Sequence, residues 1–118
     1  MKELTKAEEQ IMLIIWQKNK CFVKEIIEEL PKPKPAYNTV STIVRILEKK
    51  EFVNYTAFGK THQYHPIISK ENYKSLKTNN LMSNFFGGSA ESMLSFFVKE
   101  NKMDINQIDE LLKEIKKK

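Results

Sequence analysis

Asn38, Ser41, Thr42, Arg45 and Lys49 bring amide, hydroxyl and cationic groups into one short stretch, with no acid among them. If residues 37–50 form a helix, 100° per residue puts these five on one side. Val40, Ile43, Val44 and Leu47 then fall on the other. Short hydrogen-bonding groups beside cations suit the edges of bases and the phosphates that flank them. Arginine pairs with guanine and asparagine with adenine, so Arg45 and Asn38 are the first candidates for base contacts. A face that merely meets water usually mixes Glu with Lys, whereas here Glu48 lies at the edge of the stripe. Tyr37, at the start of the stretch, has two candidate uses: stacking on or bonding to a nucleic-acid backbone, or packing under the proline-rich loop before it.

Other chemistries find less to stand on. His62 and His65 are three apart on an expected strand, so they point to opposite faces, and no cysteine or carboxylate cluster supports them as metal ligands. A structural or solvent role is the expectation for both. The sequence has no nucleophile elbow, phosphate loop, HExxH pair or evident pair of catalytic acids. No catalytic residue, metal site or cofactor is expected, and the chain is not read as an enzyme. Cys21 is the single cysteine. It excludes an intrachain disulfide, fits a reducing compartment and reads as a buried apolar thiol.

The elements that would position the 37–50 stretch follow from periodicity. Thr5-Lys6-Ala7-Glu8 is a capping box, opening a helix to about Gln17 in which Leu4, Ala7, Ile11, Ile14 and Ile15 recur at helical spacing. Trp16 at its end reads as core. Val23, Ile26, Ile27 and Leu30 mark a short second helix. Pro31-Lys32-Pro33-Lys34-Pro35 cannot continue it, because proline lacks the amide and clashes with the preceding turn. After the third helix, Phe52–Phe58, the turn Gly59-Lys60-Thr61 and His62–Pro66 read as a β-hairpin. Three short helices and a hairpin in that order describe a winged helix-turn-helix, with Lys60 at the tip where a wing meets a phosphate.

From Ser69 the chain is helical again, with Tyr73, Leu76, Asn80 and Leu81 roughly in phase until Gly87-Gly88. Ser89 is an N-cap candidate for a helix bearing Ala90, Met93, Leu94, Phe97 and Val98. Asp104–Gln107 is a capping box for a last helix with Ile108, Leu111, Leu112 and Ile115. A region this small rarely buries enough surface to fold alone, and a second copy is the economical partner for its apolar stripes. The expected organisation is a mainly α fold with a small hairpin: residues 1–70 as the DNA-binding domain, residues 71–118 as a helical dimerisation region.

Composition agrees. The 118 residues are 41% hydrophobic, enough for a core, and carry 20 Lys and Arg against 15 Asp and Glu, a formal charge of +5. The excess favours a polyanionic partner. The start of the chain is no signal peptide, and the apolar run from Ile11 to Trp16 is far too short to span a bilayer. A cytoplasmic protein without membrane insertion is expected.

Three segments in order resemble the BlaI/MecI/CopY family, the penicillinase repressors. Leu4-Thr5-Lys6-Ala7-Glu8-Glu9 with Met12 and Trp16 is similar to the family's opening LTxAExxxMxxLW, with Ile15 where Leu is usual. Tyr37-Asn38-Thr39-Val40-Ser41-Thr42 resembles its YTTVxT recognition-helix entry, and Gly59–Pro66 its wing motif GRxxxYxP. The resemblance implies a homodimeric repressor bound to a double-stranded DNA operator. Tyr37, Asn38, Thr39, Ser41, Thr42, Arg45, Lys49 and Lys60 would meet DNA. Met93, Leu94, Phe97, Ile108, Leu111, Leu112 and Ile115 would hold the dimer. In the family's β-lactam branch, a membrane sensor with a protease domain triggers cleavage of the dimerisation region at an Asn-Phe bond; the matching pair here is Phe96-Phe97. Other departures are Ile46 where Arg is frequent, Glu51 in place of the usual Gly after the third helix, and no C-terminal cysteine cluster of the copper-sensing kind. The rival expectation is a winged-helix protein-interaction module without specific DNA binding.

Overall fold

Thr5 caps the first helix from both directions. Its hydroxyl accepts from the Glu8 amide at 3.2 Å, while its own amide donates to Glu8 Oε1 at 3.0 Å. This satisfies two of the backbone donors left open where a helix begins and starts α1 (Lys6–Lys18). The computed structural model describes residues 3–100 and, beyond them, 106, 107, 110 and 113. In it α1 is followed by α2 (Val23–Glu29), α3 (Tyr37–Lys49), β1 (Val53–Phe58), β2 (Thr61–Pro66), α4 (Lys70–Phe85) and α5 (Ala90–Lys99). This is the winged helix-turn-helix with a following helical region that the periodicity predicts.

The described structure divides into two compact units, Met1–Leu76 and Lys77–Lys118. In the first, one core gathers Ile11, Met12 and Ile15 of α1, Val23 and Ile26 of α2, Val40, Val44 and Leu47 of α3, and Phe52, Val53 and Tyr64 of the hairpin. Ala7, placed on the apolar stripe by spacing, is exposed, although Leu4 before it and Ile11 after it are both buried in the core. Lys34 closes the end of α2, donating to the carbonyls of Glu28 at 2.8 Å and Leu30 at 2.6 Å. A cation on those free carbonyls also suits the helix dipole.

α3 ends in a Schellman-type turn. The Phe52 amide donates to the Leu47 carbonyl at 2.9 Å and the Glu51 amide to that of Glu48 at 2.9 Å. The geometry requires a left-handed residue between them, and Glu51 supplies it with φ 66°. The hairpin then pairs Val53 with Pro66 through to Phe58 with Thr61, so the connecting loop is Gly59-Lys60 and Thr61 already belongs to the ladder. Gly59, at φ 61°, occupies the first central position, where a type II′ turn needs a positive φ. Cys21 adds a single-residue rung: its amide donates to the Tyr64 carbonyl at 3.0 Å and its carbonyl accepts from the Tyr64 amide at 2.7 Å. The Cys21 thiol is fully buried, which pushes its pKa up to about 11, with the Glu25 carboxylate adding to the shift.

The boundary expected after residue 70 falls inside α4. The first turns of that helix belong to the first unit, because Tyr73 is buried in its core and Leu76 packs against it. The Tyr73 ring meets Trp16 at a tilt and Phe52 edge-on, with centroids at 5.6 Å in both cases, and its hydroxyl donates to Glu9 Oε2 at 2.9 Å. Burial, then this hydrogen bond to an anion, push its pKa up to about 12. Trp16 is half-buried rather than fully enclosed, and its indole N–H donates to the Ile68 carbonyl at 2.8 Å.

In the second unit α4 runs to Phe85 and the chain turns through Gly87 and Gly88, at φ 58° and 81°. Ser89 caps α5 as expected, its hydroxyl accepting from the Ser92 amide at 3.1 Å. α5 buries Met93 and Leu94. The expected capping box at Asp104–Gln107, and Ile108, Leu111, Leu112 and Ile115, lie at or beyond the edge of the described residues.

Candidate nucleic-acid interface

The two faces of α3 separate cleanly. Val40, Val44 and Leu47 are fully buried, and Ile43 is half-buried against the core. Asn38, Thr39, Thr42, Arg45 and Lys49 are exposed and Ser41 is half-buried. Burying four branched apolar side chains on one stripe leaves the polar stripe no choice but to face water or a ligand. Tyr37 is 52% exposed, so of its two candidate uses the open one is available and packing under the loop is not what it does. Thr42 donates its hydroxyl proton to the Asn38 carbonyl at 2.8 Å; it keeps lone pairs to accept with but no free donor.

The hairpin stands beside this face. Between the start of α2, the outer face of α3 and the hairpin lies a groove of about 540 Å³. Lys24 enters it from α2, Tyr37, Ser41 and Arg45 from α3, and Lys60, Thr61, His62 and Tyr64 from the hairpin. Lys60 is exposed at the tip. Thus Tyr37, Ser41, Arg45 and Lys60, on two elements far apart in sequence, line one depression. Asn38, Thr39, Thr42 and Lys49 are not among its lining residues; they lie further round the exposed surface of the helix.

Electrostatics favour an anion here. Glu25 also lines the groove, but its Oε1 accepts from the Phe22 amide at 2.8 Å, which engages it in starting α2. Tyr64, which is buried, is held neutral: burial raises its pKa, the Glu48 carboxylate adds to the rise, and the Arg45 guanidinium opposes it. The hydroxyl therefore stays a donor at ordinary pH.

His62 serves the hairpin. His62 stacks flat on Tyr55, centroids 4.0 Å apart and planes within 6°, and meets Tyr64 edge-on at 6.2 Å. The register explains it, since Tyr55 pairs with Tyr64 and His62 sits diagonally across, within reach of an aromatic ring. Among the described residues no group of three or more His, Cys, Asp or Glu could hold a metal ion.

A family model described as penicillinase repressor matches residues 4–117. The chain belongs to the penicillinase repressor family. Among the family's curated members, it is 27% identical over 110 residues to the penicillinase repressor of Bacillus licheniformis, covering 92% of this chain and 86% of the relative. It is 28% identical over 117 residues to the methicillin resistance regulatory protein MecI of Staphylococcus aureus strain N315, covering 98% and 95%. Its fold matches the solution structure of the DNA-binding domain of the repressor BlaI with a TM-score of 0.53 at 30% identity, covering 62% of this chain and 94% of that one.

Three features of this penicillinase-repressor fold were not singled out in sequence as part of the interface: Lys24, the aromatic ladder Tyr55–His62–Tyr64, and Ile46. Lys24 carries no signal, because a lone lysine on a short helix is ordinary. The ladder was detectable only once the hairpin register was known. Ile46 had a signal, an apolar residue among polar neighbours, and it is 36% exposed on α3. In the second unit, Met93 and Leu94 are buried, Phe97 is half-buried and Phe96 is 47% exposed, with Phe96 against Phe86 at 5.7 Å and Phe97 at 6.0 Å.

Proposed function

We propose that this protein is a DNA-binding transcriptional repressor that lays α3 in the major groove, touches the flanking phosphates with its wing, and acts as a homodimer on a palindromic operator. The observation that carries the proposal is the exposed face of α3, free of acids and continued by Lys60 on the hairpin. A helix fits a major groove about 12 Å wide, and the placement of Arg45, Asn38 and Lys49 supports base and phosphate contacts from one face. Family membership and likeness to the BlaI DNA-binding domain support the same reading.

Dimerisation is supported by the apolar surface that one copy leaves open in the second unit: Leu81, Phe85, Phe96 and Val98 are exposed, Phe85 by 75%. A second copy would cover it, and two half-sites then mirror the two-fold axis. Release is proposed to follow proteolysis of this region, at or near Phe96–Phe97, under the control of a membrane sensor protease. The relatives' names point to genes of the antibiotic-resistance type as targets. No helix among the described residues is long and apolar enough to cross a membrane.

The deciding experiment is an electrophoretic mobility shift on DNA upstream of the protein's own gene, at two salt concentrations with scrambled competitor. A discrete, competitor-resistant shift that weakens with salt is expected, because neutralised phosphates release counterions. Absence of binding at either salt by the folded protein would favour a protein-interaction module instead.

A further inference from the structure

Ile46 breaks the polar character of the exposed α3 surface. It is 36% exposed and takes no part in the core, unlike Ile43 three residues earlier. It lies one turn beyond Thr42 and two turns beyond Thr39, both exposed, so three methyl-bearing side chains follow one another along one edge. Asn38, Arg45 and Lys49 occupy the middle of the polar face, and Ser41 its other edge. Thr42 has already given its hydroxyl proton to the Asn38 carbonyl, which leaves the Ile46 edge poor in donors. An exposed aliphatic side chain on a surface that meets DNA needs an apolar counterpart. In the major groove that counterpart is the C5-methyl of thymine.

We propose that Ile46 is a specificity-determining residue that reads a thymine methyl in each half-site. The inference rests on the DNA-binding function proposed above. A long aliphatic side chain forms no bidentate bonds with guanine, so this position selects by methyl contact and by exclusion of water. Its discrimination is therefore between the presence and absence of one carbon atom.

The test uses the full-length protein and a duplex it selects from a randomised pool. Each thymine of the selected duplex is replaced in turn by uracil, which removes the C5-methyl and leaves every hydrogen-bonding group in place. At one thymine per half-site, uracil should weaken binding by the wild-type protein roughly fourfold, the effect of losing one buried methyl-sized contact. Ile46→Ala should bind the thymine and uracil duplexes equally well at that position, with an unchanged melting temperature. Ile46→Val, which keeps two methyls at the exposed site, should retain part of the discrimination and serves if the alanine variant folds poorly. An unchanged uracil penalty in either variant, or no uracil-sensitive thymine at all, would overturn the assignment. Failure of the wild-type protein to enrich any sequence would instead overturn the DNA-binding function itself.

Discussion

Glu51 holds a left-handed backbone conformation, φ 66°, in which its Cβ crowds the neighbouring carbonyl at about 1–2 kcal/mol. Glycine avoids that cost but is more disordered when unfolded, by about 0.4–1 kcal/mol. Glu51→Gly should therefore stabilise the protein by about 0.5–1 kcal/mol, read as a rise in denaturation midpoint at constant slope. A second residue-scale contact joins α1 to the end of α3: Lys50 Nζ meets Glu8 Oε1 at 2.6 Å, with the Glu8 side chain 8% exposed. Burial opposes ionisation of Glu8, but the Lys50 ammonium and the Thr5 backbone outweigh it and hold the carboxyl below its ordinary 4.5. Since the folded value is depressed, this stabilisation is complete above about pH 4.5 and is lost as pH falls through the folded pKa. Lys50→Met should cost about 1–2 kcal/mol at pH 7 and flatten the acid limb of the stability profile, measured by urea unfolding between pH 3 and 7. The special place of Glu51 was legible in the sequence, as a side chain where glycine is usual. The Glu8–Lys50 pair was not, because no local pattern links residues 42 apart.

At the scale of elements, the order of helices and hairpin was legible because each carries a period: four apolar residues on one stripe of α3, a Gly-containing turn between β-prone segments. The exposed face of α3 followed directly from that stripe. The rung between Cys21 and Tyr64 did not, since one residue has no period, and neither did the two-residue length of the wing loop. Replacing Arg45 and Thr42 together by Ala should weaken specific binding by at least about fivefold, the low end of losing one good base contact, while leaving dimer mass unchanged in sedimentation. Lys60→Ala belongs to a different class of contact. It should weaken binding evenly across sequences and reduce the salt slope by about one, as titration of affinity against salt will show.

For the molecule as a whole, composition and charge favoured a polyanionic partner, and periodicity put a boundary at residue 70, whereas the compact units divide after Leu76. Helical phase marks where α4 begins but says nothing of which of its turns serve which core. The open apolar surface on the second unit yields a further prediction: Phe85→Glu, at a side chain 75% exposed in one copy, should leave the fold intact but shift the sedimenting species from dimer to monomer. The position of Tyr73 and Leu76 has a wider consequence. Every residue of the first unit's core precedes Lys77, so a chain cut near Phe96 keeps an intact reading head. Such a cut would not destroy the repressor but lower its grip, leaving fragments that compete for half-sites in proportion to their number. If release follows such a cut, as proposed, the surviving reading heads would still occupy half-sites weakly, and full expression would wait on their clearance and dilution by growth.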